Sequence, residues 1–162
     1  MSQTRLDESR WPLVVFTAVG EQSEAEFDAF LLDCDRVLRR REPHGSIFDG
    51  RRSAPIGPKL RKRQVAWLAR NEALLRAYVV GSGVVINSPL QRGALRAILW
   101  MRPLPFPFVV ESSFEAARRY VCTRLHERGC EPPPMFNWGN VLPVAARTER
   151  LGDRTRRGAE PR

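Results

Sequence analysis

The chain has 162 residues and a formal net charge of +9, with 43% hydrophobic and 28% charged residues. That length supports one domain with a hydrophobic core, and the composition is that of an ordinary globular protein. It excludes several classes: no apolar run approaches the roughly 20 residues of a membrane span, residues 1–10 lack the apolar stretch of a signal peptide, and Cys34, Cys122 and Cys130 form neither a CxxC pair nor an even-numbered disulfide framework. The expectation is a soluble, reduced, cytoplasmic protein.

Residues 1–10 mix charges and carry little apolar character, so they are expected to be a flexible N-terminal arm. The nearly continuous apolar run over residues 11–19 predicts a first strand. Ser23-Glu24-Ala25-Glu26 is a capping box, in which the Ser hydroxyl accepts from the third backbone N–H and Glu26 reaches back. A helix to about residue 41 follows, with Phe27, Phe30, Leu31, Cys34, Val37 and Leu38 on one face and Arg39, Arg40 and Arg41 in its last turn. Pro43 stops it. A short strand over residues 45–49 leads into a loop over residues 50–58 that is rich in Gly, Pro and Arg.

The second helix is predicted from Pro58 to Tyr78. Leu60, Trp67, Leu68, Leu74, Leu75 and Tyr78 face inward, while Lys59, Lys62, Arg63 and Arg70 cluster outward. The apolar run over residues 79–86 is a third strand. Ser88-Pro89-Leu90-Gln91 then starts a helix, with Ser as N-cap, Pro at the first position and Gln three residues on. Prolines 103, 105 and 107 force an extended connection to an edge strand over residues 108–111. Ser112, with Glu115 closing a box, is expected to cap a last helix that ends at Gly129. Residues 130–145 form a Pro-rich extension holding Phe136 and Trp138. Residues 146–162 carry six arginines against three acidic residues and read as a disordered basic tail.

This alternation predicts a single α/β domain over residues 11–129, with a four-stranded, mostly parallel sheet. Ligands of such sheets sit at the carboxyl ends of strands, which directs attention to Asp49, Arg51, Arg52 and Ser53. Catalytic motifs are missing from the sequence. His44 reads as a turn residue and His126 as a cation at a helix end; the two are too far apart for a zinc site. Gly81-Ser82-Gly83 lacks the third glycine of a dinucleotide loop and lies inside an apolar run, so packing explains it better. Asp49 is a phospho-acceptor candidate or a turn residue bonding its own backbone. Ser53, beside Arg51 and Arg52, is a candidate phosphorylation site. No cofactor and no metal is expected.

A strand ending in Asp49, a loop, a helix with Arg63, Trp67 and Asn71, an apolar strand, and then Ser88-Pro89-Leu90-Gln91-Arg92-Gly93 with Trp100 make up an arrangement over residues 11–128. It resembles the STAS/SEC14-like domains of bacterial signalling proteins. The resemblance implies a non-enzymatic binding module similar to anti-sigma-factor antagonists, which are switched by serine phosphorylation. Typical members carry Asp-Ser-Ser/Thr-Gly after the central strand, where this chain reads Asp49-Gly50-Arg51-Arg52-Ser53.

The positive charge comes almost wholly from arginine, since Lys59 and Lys62 are the only lysines. A field of that sign attracts acidic partners. The first reading is therefore a regulatory protein-binding module. It would use residues 49–53 and the helix face of Lys59, Lys62, Arg63 and Arg70 against a protein with an acidic surface. An alternative is a nucleic-acid or anionic-surface binding protein using the same face and the basic tail. A second alternative is a small enzyme with its site near Asp49.

Overall fold

Side-chain caps start three of the four helices in the structure, a computed structural model that describes residues 3–131. Helix α1 (Glu24–Leu38) opens with the expected box: Glu26 N donates to Ser23 Oγ at 3.3 Å and Ser23 N donates to Glu26 Oε2 at 2.8 Å. Helix α2 (Pro58–Tyr78) has Pro at its first position and no side-chain cap. Helix α3 (Pro89–Met101) has the second box, closed by Gln91 Oε1 on Ser88 N. The cap of helix α4 (Phe114–Glu127) is Ser113 rather than Ser112, its Oγ accepting from Ala116 N at 3.4 Å. Glu115 then sits one position too early to close a box and pairs with Arg118 instead.

Helix α1 stops at Leu38, three residues short of the expectation. Arg41 adopts φ 54°, and Arg40 N and Arg41 N close a turn on Val37 O and Leu38 O. Its arginines therefore make the turn rather than the last helical turn. Gly129 takes the expected left-handed conformation after α4, at φ 72°.

The sheet has five strands: β1 (Gln3–Arg10), β2 (Leu13–Gly20), β3 (His44–Ser53), β4 (Val79–Val85) and β5 (Phe108–Glu111), adjacent in that order. β1 runs antiparallel to β2 and the other neighbours are parallel. Over residues 3–10, β1 replaces the flexible arm that was expected over residues 1–10. It has no apolar run of its own; it is held by backbone pairing to the β2 edge and by Leu6, which pairs with Phe16. A polar strand at a sheet edge is ordinary, because only one flank must pair. β3 extends through Ser53, so residues 50–53 are strand rather than loop, paired with Val19 and Gly20.

Strand alternation divides the core. Leu13, Ile47 and Val85 point to one face, where α4 seals them with Ala117, Val121, Cys122 and Leu125. Val14 and Phe16 point to the other face, under α1, α2 and α3. Cys122 is buried, which pushes its thiol up to about 11; Cys34 and Cys130 are half-buried, and all three are free. No helix among the described residues is long and apolar enough to cross a membrane. The Pro-rich extension beyond residue 131 and the basic tail of residues 146–162 lie outside the described residues.

Candidate functional site

Asp49, expected at a strand end, lies inside β3 and is committed to an arginine two residues on. Its Oδ1 accepts from Arg51 Nε at 2.9 Å and its Oδ2 from Arg51 Nη2 at 2.7 Å, a bidentate pair. Alternate residues of a strand share a face, so the spacing alone brings the two groups together. The Arg51 guanidinium also lies 6.0 Å over the Phe114 ring. The hydrogen bonds from Arg51 hold the Asp49 carboxyl below the usual carboxylate range. Asp49 is therefore a structural anion here. The Asp49 carboxylate, offered by the sequence as the centre of a small enzyme site, is bonded to Arg51.

This pair makes a pH prediction. A depressed folded-state pKa contributes stability that is present above the unfolded value of about 3.9 and lost as pH falls through the folded value. Asp49→Asn should cost about 1–2 kcal/mol at neutral pH, the value of a charged hydrogen bond reduced by the exposure of Arg51, and progressively less in acid. Urea melts of both proteins from pH 7 to pH 2 check this; a difference that does not shrink in acid excludes the ion pair as its source.

Ser53 is half-buried. Its Oγ donates to Gly50 O at 2.9 Å, and Gln91 Nε2 lies 3.3 Å from the same oxygen. Gln91 does more. It is buried, and Nε2 donates to Gly50 O and Ser53 O, each at 2.6 Å, while Oε1 completes the α3 capping box. One amide thus ties the start of α3 to the carboxyl end of β3. The sequence reading placed Gln91 only in the box; the pairing partner lies about forty residues earlier.

The basic face of α2 is half neutralised by α1. Lys59 Nζ lies 2.5 Å from Glu24 Oε1, and Arg63 reaches Glu24 at 2.7 Å and Asp28 at 2.5 Å. Those two cations join the two helices. Lys62, Arg70 and Arg52 are exposed and carry no ion pair among the described residues. The acidic side chains on α1 were the missing signal, because the sequence does not show which helix α2 lies beside.

His44 is not a turn residue. It opens β3 at 2% exposure, stacked on Trp11, with Nδ1–H donating to Glu42 O at 2.9 Å. Burial pushes its imidazole below the ordinary value, so it is neutral. His126 is exposed near the end of α4. Among the described residues, no group of three or more His, Cys, Asp or Glu is placed to hold a metal ion.

No family model matches the chain, and no curated protein matches it. Solved structures share its fold, among them the following two. One is a DUF3478-family protein with a SpoIIAA-like fold from Shewanella loihica PV-4, with a TM-score of 0.54 and 14% identity over 75% of this chain and 96% of that one. The other is an anti-sigma factor antagonist from Mycobacterium paratuberculosis, with a TM-score of 0.55 and 17% identity over 75% of this chain and 94% of that one. The single α/β domain is STAS-like, with a mixed sheet of five strands where four were expected.

Proposed function

We propose that this protein is a non-catalytic regulatory module of bacterial signalling that docks exposed cations on the acidic surface of a protein partner. The observation that carries this reading is the separation of the cations. Lys59 and Arg63 are spent on α1, whereas Arg52, Lys62 and Arg70 are exposed without an ion pair among the described residues. Lys62 and Arg70 are eight residues apart on α2, so they lie on one side of the helix, roughly 12 Å from each other. Arg52 stands at the carboxyl end of the central strand, where α/β folds bind ligands. The anti-sigma factor antagonist of similar fold supports a protein partner over a small-molecule substrate.

Reversing Lys62 and Arg70 to Glu should abolish partner capture from the native host while leaving the melting temperature unchanged, since surface changes are usually within about 0.5 kcal/mol. Arg63→Glu is the contrasting variant. It sets a third carboxylate beside Glu24 and Asp28 and should destabilise the α1–α2 contact itself. Capture that survives the Lys62/Arg70 reversal removes the docking face. If the double reversal instead abolishes binding to duplex DNA with a steep salt dependence, the nucleic-acid reading replaces this one.

In this reading Ser53 is the regulatory position. A phosphate on its Oγ, of charge about −1.5 to −2, would break the bond to Gly50 and displace Gln91 beside Arg52. Mapping of phosphate on the protein isolated from its host should find Ser53 modified under some growth condition. A Ser53 that is unmodified in all of them leaves the binding face without this switch.

A further inference from the structure

The face of the sheet beneath α1, α2 and α3 does not fill the space under the helices, and a cavity of about 230 Å³ remains. We propose that this cavity binds a small, uncharged, largely apolar molecule carrying one hydrogen-bond acceptor.

Its floor explains why it exists. Ser46 and Ser82 are register partners on β3 and β4 and both line the cavity, between the larger Phe16, Phe48 and Val84. Two short side chains lie side by side where a core layer would ordinarily place two large ones. Phe27, Phe30 and Trp67 of the helices line the space above them. A cavity of roughly 150 Å³ accommodates benzene, so this one suits a molecule of roughly ten non-hydrogen atoms.

The lining sets the charge of the ligand. In a chain of net charge +9, no Lys, Arg, Asp or Glu lines the cavity. His44 lines it in the neutral form. A carboxylate or phosphate seated against this lining would lose water without meeting a counter-charge, which is unfavourable. This separates the ligand from anionic lipids and from the acidic partners of the outer surface.

Of the other polar side chains in the lining, Gln22, Ser53 and Gln91 are bonded within the protein, and the Gln64 amide lines the cavity as well. The serine pair sets the polar requirement at the floor. Ser46 Oγ donates to Ser82 Oγ at 3.0 Å. Two hydroxyls carry two protons, and one bond between them uses one, so the Ser82 hydroxyl keeps a proton to donate. Trp67 contributes its ring alone, because its Nε1–H is already given to Asp35 at 2.8 Å. A carbonyl or ether oxygen on an otherwise apolar body fits this arrangement.

The test uses the full chain and three probes of similar size: acetophenone, ethylbenzene and benzoate. By calorimetry, acetophenone should bind saturably at one site, and benzoate should bind at least tenfold more weakly. Ser82→Ala should weaken acetophenone about three- to tenfold, the value of one hydrogen bond, and leave ethylbenzene unchanged. Ala94→Leu, which fills the space from α3, should abolish binding of both neutral probes. If Ala94→Leu does not fold, the Ser82→Ala comparison decides alone. Benzoate binding as tightly as acetophenone, acetophenone binding that is indifferent to Ser82→Ala, or no saturable binding of either neutral probe would overturn the proposal.

Discussion

Gly83→Val should leave the domain unfolded or melting many degrees lower. Gly83 lies in β4 under α4. A Cβ there would sit 2.8 Å from Ala117 Cβ and 3.3 Å from the Ala117 Cα and carbonyl oxygen. The obstructing atoms include helix backbone, which cannot rotate away. The helix would have to lift, taking Val121, Cys122 and Leu125 out of contact with Ile47 and Val85. Overpacking by one or two methyl groups costs typically 1–3 kcal/mol, and a lifted helix forfeits more, against a total stability of about 5–15 kcal/mol. Gly83→Ala should show a reduced version of the effect. Ala117→Gly should restore part of the Gly83→Ala loss, because the two sites touch and their energies should couple. Thermal melts of the two single variants and the double variant measure this. Strict additivity would mean that the close approach is not what β4 needs glycine for.

Trp67→Ala should cost about 3–5 kcal/mol by lost transfer and cavity formation. Trp67 is 4% exposed and belongs to the cluster with Leu60, Leu68 and Leu75, with Phe27 and Leu31 of α1 on the facing side. Its Nε1–H also donates to Asp35 Oδ1, so the ring joins α2 to α1 by packing and by a hydrogen bond to a carboxylate. Trp67→Phe separates the two contributions: it keeps most of the ring and loses the bond, and should cost about 1–3 kcal/mol. Chemical denaturation of both variants checks the order. A Trp67→Ala protein as stable as the wild type would place the indole outside the core.

The helix face that buries Trp67 was readable because periodicity is local. Leu60, Trp67, Leu68 and Leu75 recur at the spacing of one helix side, and all four are buried. The capping boxes at Ser23 and Ser88 were readable for the same reason, since a box needs only four consecutive residues. The Ser113 cap was missed by one position because Ser112 and Ser113 are adjacent and both precede an acidic residue. Gln91 was half readable: its box is local, but its bonds to Gly50 and Ser53 depend on α3 ending up beside β3. The ion pairs of Lys59 and Arg63 were hidden on the same ground, since Glu24 and Asp28 meet them only after α1 and α2 pack.

By itself the sequence determined the alternation of strand and helix, and hence an α/β domain, because hydrophobic period and end caps are written in short stretches of chain. It also determined that Asp49 and Arg51 share a strand face once a strand forms there, though not that one would form that far. Tertiary structure decided the rest. Residues 3–10 became a strand because β2 offered an unpaired edge, and backbone pairing needs no apolar signal from the strand that is added. β3 ran on to Ser53 because Val19 and Gly20 lay alongside to pair with it. Gly83 became a contact point for α4, and Ser46 and Ser82 the floor of a cavity, because the pleat turns alternate residues to opposite layers. A glycine or serine in a strand shows only that its side chain is small. Whether that smallness admits a helix or leaves a space depends on what packs above it, which is a property of the assembled layers.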